Sequence, residues 1–305
     1  MTTMANSRKR RFSVSREQQG FFYILPWLLG FLLLQLYPFI MSLYYSFCDY
    51  SILSAPIFNG LDNYTRLLTK DREFWNSLRV TMRYTITTVP GKLTLALIVA
   101  ILMNQKIRGI NFIRTVYYIP SLFGGSVAVC SLWKLMFNDK GVINAFLQAL
   151  GIQSISWLGN PAISMNTICL MEIWQFGSSM ILFLAALKNV PQTLYEAAEI
   201  DGAGRLRCFW HITIPQITPI ILFNLLMQSI TALQNFTSAF VITKGGPVKS
   251  TYVLGMKLYN DGFAYFKMGY ASATSWIIFI IILVLTTLLM KSSSMWVHYE
   301  DGGEF

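Results

Sequence analysis

Four polar residues interrupt an apolar stretch at helical spacing: Asn224, Gln228, Thr231 and Asn235 fall at i, i+4, i+7 and i+11, one face of a helix. A second set, Glu172, Gln175 and Ser179, falls at i, i+3 and i+7, with Trp174 and Ser178 adjacent. Amides and hydroxyls carry donors and acceptors side by side, the pairing that sugar hydroxyls require, and an indole ring packs on the apolar face of a pyranose. A bilayer gives such residues a second use, because amides and hydroxyls also bond helix to helix. For Trp174, Gln175, Ser178, Gln228, Thr231 and Asn235, lining a substrate pathway and joining helices both stand as readings. Glu172 reads first as a structural partner, with Lys92 and Lys134 as candidate counter-charges or snorkelling cations.

Such polar faces need lipid-embedded helices to hold them. Hydrophobic residues make up 54% of the chain, aromatics 15% and charged residues only 12%, against about 25% charged in soluble domains. The fold class is therefore an all-α integral membrane protein. A span needs about 20 mainly apolar residues, and six stretches qualify, at approximately 22–47, 78–103, 112–137, 163–187, 215–242 and 270–290. Six spans put both termini on one side. Arg8, Lys9, Arg10, Arg11 and Arg16 assign that side to the cytoplasm by the positive-inside rule. The apolar run from Phe21 to Phe47 is too long for a cleaved signal peptide.

The sequence offers no catalytic constellation. It contains no G-x-x-x-x-G-K-[ST] loop to cradle phosphates and no nucleophile elbow. Cys48, Cys130, Cys169 and Cys208 stand far apart without metal-ligand spacing, so no metal site is expected. The net charge of +10 is scattered through loops rather than gathered on one face, which argues against nucleic acid.

One polar island lies between two apolar stretches. It runs from Glu196 through Ala197, Ala198, Glu199, Ile200, Asp201, Gly202, Ala203 and Gly204 to Pro215. Pro191 suits the opening of a helix, Gln192 to Ile200 are mostly good helix formers, and Gly202 and Gly204 permit a turn. Arg205 to His211 then read as a second short helix, ended where Pro215 opens the next apolar run. The pattern E-A-A, three residues, G, nine residues, I-x-L-P resembles the signature loop of permease subunits in binding-protein-dependent ABC importers. Glu196-Ala197-Ala198, Gly202, Ile212 and Pro215 match in register, with Ile214 in place of the usual leucine. Asp201-Gly202-Ala203, Ile173-Trp174 and the Leu184 to Leu187 run look like the carbohydrate-uptake branch, similar to maltose and glycerol-phosphate permeases.

The resemblance implies six transmembrane helices with a cytoplasmic helix-turn-helix coupling loop. It implies a basic tail at 1–20, a first span and external loop at 21–70, a permease core at 71–290 containing the loop at 189–215, and a tail at 291–305. Its partners would be two ATP-binding subunits, a second homologous permease and an extracytoplasmic solute-binding protein, in the lipid of a bacterial or archaeal cytoplasmic membrane. ATP would be bound by the partner subunits, leaving this chain without a cofactor or catalytic role of its own. Glu196 would make the ionic contact with the ATPase. Gly202 would supply the turn, with Asp201 beside it, and Leu194, Ala197 and Ala198 the apolar docking surface. The cargo would be a sugar or oligosaccharide. The fourth and fifth spans hold no central Arg or Lys, which favours a neutral sugar over glycerol phosphate or an acidic sugar. The rival class is an ion-gradient-driven secondary transporter, disfavoured by few intramembrane acids and no evident inverted repeat.

Overall fold

The computed structural model describes residues 16–105 and 108–298. The basic run from Arg8 to Arg11, Lys106 and residues 299–305 lie outside the described residues. α1 (Arg16–Phe31) continues through a π-helical turn, Leu32–Leu36, into α2 (Tyr37–Ser46). β1 (Cys48–Asp49) pairs antiparallel with β2 (Ile57–Phe58), and α3 (Asp62–Thr69) leads to α4 (Arg72–Met103). Then follow α5 (Ile110–Leu122), α6 (Val127–Met136), α7 (Val142–Ala149), α8 (Ser164–Trp174) and α9 (Gly177–Asn189). The remainder comprises α10 (Gln192–Ile200), α11 (Arg205–Cys208), α12 (Ile214–Leu233), α13 (Thr237–Thr243), α14 (Leu254–Tyr259) and α15 (Met268–Ser293).

Four continuous helical stretches are long and apolar enough to cross a membrane: Tyr23–Ser46, Arg72–Met103, Arg205–Leu233 and Met268–Ser293. The count rises to six if two bent pairs each serve as one span, α5 with α6 at 99° and α8 with α9 at 43°. Three expected spans are therefore interrupted rather than straight. The 112–137 stretch breaks after Pro120, where Gly125 turns at φ +70° and the Ser126 hydroxyl accepts from the Ala128 amide at 3.2 Å. The 163–187 stretch breaks at Gln175, and the 215–242 stretch breaks between Leu233 and Thr237. Hydropathy summed over a window averages the few polar and glycine residues at each break with their apolar flanks, so the breaks do not show in it.

α4 is the axis of the bundle. Asp71 caps its start by accepting from the Phe74 amide at 3.0 Å, with Glu73 adding charge favourable to the first turn. Its 32 residues extend over about 48 Å at 1.5 Å per residue. It packs on α8, α9, α12 and α14, and its buried small side chains include Ser77, Thr81, Thr85, Ala96 and Ala100, with Thr81 Oγ1 accepting from the Leu254 amide of α14 at 2.9 Å. Each hydroxyl among them donates within its own helix, as when Thr81 donates to the Ser77 carbonyl at 2.8 Å and Thr85 to that of Thr81 at 2.9 Å. Lipid is as apolar as the core, so this association rests on close approach and dispersion rather than on water exclusion. Gly177 shows how close: a Cβ there would meet the Tyr117 carbonyl oxygen of α5 at 2.6 Å.

Where α4 begins, an ion cluster pins it to α14 and α15. The Lys257 ammonium, almost fully buried, lies 2.7 Å from Asp71 Oδ2 and 3.0 Å from Asp261 Oδ2, and Tyr270 donates to Asp71 Oδ2 at 2.6 Å. Burial alone would push the Asp71 carboxyl up, but hydrogen bonds from Lys257, Tyr270 and the Phe74 amide outweigh it and hold it below the usual carboxylate range. Burial likewise opposes the charge on Lys257, yet its two carboxylate partners keep it above the ordinary lysine value. Asp261 is pushed up by burial despite Lys257. Lys249 also pairs with Glu73 at this end.

Candidate functional site

A cavity of about 470 Å³ opens where the breaks converge, beside the middle of α4. Tyr84, Thr88 and Lys92 come from α4, Ser121 and Gly124 from the end of α5, Glu172 and Gln175 from the end of α8, and Ser178 from the start of α9. Gln228 and Thr231 come from α12, and Gln234 to Ser238 from the segment joining α12 to α13. An interrupted helix exposes backbone and frees its next residue to turn inward, so irregular backbone at membrane depth is tolerated around a polar chamber.

Of the expected pathway residues, Gln175, Ser178, Gln228, Thr231 and Asn235 line this cavity. Trp174 does not: it is 43% exposed and packs its ring on Trp133 at 5.8 Å. The 43° break after it separates the direction of its side chain from that of Gln175. Asn224 is buried outside the cavity and donates to the Ile220 carbonyl at 3.1 Å, and Ser179 accepts from Gln228 Nε2 at 3.3 Å. Asn235 lies beyond the end of α12, so it joins Gln228 and Thr231 through the break and not along one helical face.

Sequence reasoning missed the α4 contribution. Lys92, from the second span, brings a cation into the chamber, so the lack of one in the fourth and fifth spans no longer favours a neutral sugar. Glu172 lines the same cavity as Lys92, yet no ion pair within 4 Å joins them among the described residues. Lys134, on α6, is not among the lining residues.

The polar groups divide by role. Thr88, Ser121, Thr231 and Ser238 donate their protons to Tyr84 O, Tyr118 O, Met227 O and Asn235 Oδ1 at 2.7, 2.7, 2.8 and 2.8 Å, which leaves their oxygens as acceptors. Gln175 Nε2 and Asn235 Nδ2 are buried without partners among the described residues, which leaves them as donors. A buried amide without a partner costs on the order of 1–3 kcal/mol. A ligand rich in hydroxyls, each both donor and acceptor, satisfies both sets.

At the far end of α4 stands the second feature. α10 closes in a Schellman turn: the Ala203 amide donates to Ala198 O at 2.9 Å, the Gly202 amide to Glu199 O at 3.0 Å, and Gly202 takes φ +74°. Pro191 sits at the N-cap rather than at the first helical position. The expected break before the next apolar run is absent. α11 passes through a π-helical turn, Phe209–Thr213, directly into α12, one helix from Arg205 to Leu233. Pro215 is accommodated because it lies at the start of α12, just past the widened turn, where a missing N–H costs little.

Tyr195 staples α10 to this turn through Thr213 Oγ1 at 2.8 Å, above a hollow of about 700 Å³ that includes Ile101, Leu187 and Arg205. Glu196, Ala197, Asp201 and Gly202 are exposed, Leu194 is 37% exposed and Ala198 half-buried. Glu196 has no ion-pair partner among the described residues. Apolar Ile200, Leu206 and Trp210 also face outward from the loop.

Comparison with known proteins gives this geometry a context. Residues 76–296 match the family described as "Binding-protein-dependent transport system inner membrane component". The chain is 44% identical to "Probable ABC transporter permease protein YesP" of Bacillus subtilis (strain 168), covering 98% of each. It is 32% identical to "Trehalose/maltose transport system permease protein MalF" of Thermococcus litoralis, covering 94% of this chain and 98% of that one. A chain in the crystal structure of a bacterial alginate ABC transporter superposes with a TM-score of 0.81 at 22% identity, over 92% of this chain and 95% of that one, a likeness of fold. The chain belongs to the family of binding-protein-dependent transport system inner membrane components, and is a permease subunit of an ABC importer rather than an enzyme.

Proposed function

We propose that this chain carries a sugar or oligosaccharide through the cavity beside α4, and that the Gln192–Ile200 helix couples that movement to ATP hydrolysis by partner subunits. The observation that supports it most is the unbroken helix from Arg205 to Leu233: its first turns carry the exposed loop, and its last turns carry Gln228 and Thr231 into the cavity. A displacement of one end moves the other, so a closing ATPase dimer seated on Leu194, Glu196, Ala197, Ala198, Asp201 and Gly202 reshapes the chamber. The sugar class draws support from the paired donors and acceptors of the cavity and from the trehalose/maltose relative.

On this reading the chain crosses the membrane six times, with both bent pairs as spans and both termini in the cytoplasm. Two ATPases grip this loop and its counterpart on a second homologous permease, and a solute-binding protein delivers cargo at the end where Asp71 and Lys257 lie. ATP binds on the partners and this chain holds no cofactor.

The test is sugar-stimulated ATP hydrolysis by the reconstituted complex, with and without Glu196→Ala and Gly202→Asp. Gly202→Asp places a side chain at φ +74°, where L-residues are strained. Loss of stimulation together with loss of ATPase co-purification is the expected result. Unchanged assembly and hydrolysis in both variants would remove the coupling role from this loop.

A further inference from the structure

α7 is a helix turned inside out. Val142, Phe146 and Leu150 follow at i, i+4 and i+8 along and just past it and are 68%, 64% and 61% exposed, whereas Asn144 is 1% exposed. Asn144 is the hub that holds the helix this way round. Its Nδ2 donates to the Asp139 and Ile155 carbonyls at 3.1 and 2.9 Å, and its Oδ1 accepts from the Ile155 amide and from Trp157 Nε1, both at 3.1 Å. The apolar face is thus fixed outward by a satisfied polar network rather than left loose.

Three observations identify what covers it. From Gly141 to Met171 the chain holds no Asp, Glu, Lys, Arg or His, while the other two long connections, around Asp49 to Glu73 and Lys244 to Lys267, are rich in charge. The root of α7 is an aromatic cluster in which the buried Phe137 stacks on Trp133 at 4.7 Å and meets Trp157 edge-on at 5.6 Å, which seats α7 on the end of α6 and holds its apolar face at a fixed height beside that helix. And α7 directly follows α6, whose Leu132 and Leu135 are 60% and 66% exposed, so the apolar surface continues from the spanning segment. Charge returns only at the root of this face, at Lys134, Asp139 and Lys140, so a solute-binding protein docking along α7 and the segment after it would meet little charge to steer it or fix its register.

We infer that α7 lies in the outer boundary of the bilayer, with Val142 and Phe146 among the upper acyl chains, and anchors the α6–α8 connection beside the chamber. The partner is lipid. An interfacial helix of this kind buries its apolar face roughly 5–10 Å below the headgroups. This goes beyond the transport reading and uses its membrane orientation only to say which leaflet is met.

The test attaches an environment-sensitive fluorophore at Val142→Cys, Phe146→Cys and, on the polar side, Gln148→Cys, each in a Cys208→Ser background, since the other cysteines are buried. The whole transporter is placed in phosphatidylethanolamine–phosphatidylglycerol vesicles containing lipids spin-labelled either near the headgroup or deep in the acyl chain. Expected is quenching of about twofold at Val142 and Phe146 by the shallow label, a smaller effect from the deep label, and little at Gln148. Equal, weak quenching at all three positions overturns the inference. So does quenching that disappears when the solute-binding protein is added, because the face then belongs to a protein. Stimulated ATP hydrolysis on the same vesicles reports separately on the transport reading.

Discussion

The loop around α10 and the chamber beside α4 are inverted with respect to their surroundings in opposite senses. The loop turns Leu194, Ile200, Leu206 and Trp210 outward from a polar surface. The chamber encloses Gln175, Asn235, Glu172 and Lys92 within an apolar bundle. An exposed apolar patch is satisfied by a protein surface, and an enclosed set of unpaired amides by a ligand that bonds them. On the proposed function one region serves a partner and the other cargo, and the helix from Arg205 to Leu233 belongs to both. The difference teaches that the coupling proposed here needs no chain of intervening contacts, because the two regions share one continuous helix.

The strongest way to break that comparison is to cut the shared element. His211→Gly with Ile212→Gly puts two glycines into the π-helical turn, and each costs about 1 kcal/mol of helix stability. The roughly 2 kcal/mol lost locally corresponds to a helix equilibrium weakened about 30-fold. Sugar-stimulated ATP hydrolysis should fall by at least about tenfold while basal hydrolysis and assembly persist, since each site keeps its own contacts. Retained stimulation would mean that the coupling runs elsewhere.

A second change should strike both regions alike. Lys257→Met leaves the buried Asp261 and the half-buried Asp71 without their cation, a loss of at most about 3–5 kcal/mol. Because α4 carries one wall of the chamber and ends under the loop, transport and assembly should decline together with the unfolding temperature in detergent. The pH response follows from the directions of the shifts. Lys257, held above its ordinary value, contributes stability that is full below about pH 10.4 and is lost as pH rises through its folded value. Asp71, held below its ordinary value, contributes stability that is full above about pH 3.9 and is lost as pH falls through its folded value. Asp261 has the opposite sign to Asp71 and offsets part of that acid loss. The Met variant should lack the alkaline limb of the stability profile that the parent shows.

Gln228→Leu should separate the two regions. It removes a side chain that lines the chamber and bonds Ser179, leaving the loop untouched. One such hydrogen bond to cargo is worth about 1 kcal/mol or somewhat more, so the apparent KM for sugar should rise roughly five- to tenfold with the maximal rate of ATP hydrolysis kept. A drop in basal hydrolysis instead would mark Gln228 as part of the lever.

The two regions also differed in how far the sequence disclosed them, for a physical reason. The loop is local: Glu196, Gly202 and Pro215 lie within one short run, and the turn demands a glycine where φ is +74°. The chamber is assembled from distant segments, so only residues whose polarity stood out in an apolar run were visible. Gln175, Gln228 and Asn235 did so. Tyr84 and Thr88 did not, and Lys92 stood out only as a counter-charge for Glu172, because which face of α4 turns inward is set by packing on α8, α9 and α12. The adjacent Gly124 and Gly125 carried a signal for the 99° bend, and the hydropathy of their flanks concealed it.

Trp174 tests that lesson with the smallest expected effect. Its neighbour Gln175 faces the chamber, and adjacency alone would have the indole stack on a sugar ring there. The ring instead lies against Trp133, whose own indole donates to the Thr167 carbonyl at 3.1 Å, and Trp174 stays 43% exposed on the outside of the bundle. An aromatic pair of this kind is worth about 0.5–1.5 kcal/mol beyond its buried area. Trp174→Leu keeps most of the apolar bulk, so it should lower the unfolding temperature slightly and change the KM for sugar by less than about twofold. A KM shift as large as that of Gln228→Leu would show that the indole reaches cargo during the transport cycle. The aromatic face would then belong to the chamber in a conformation where the break between α8 and α9 has straightened.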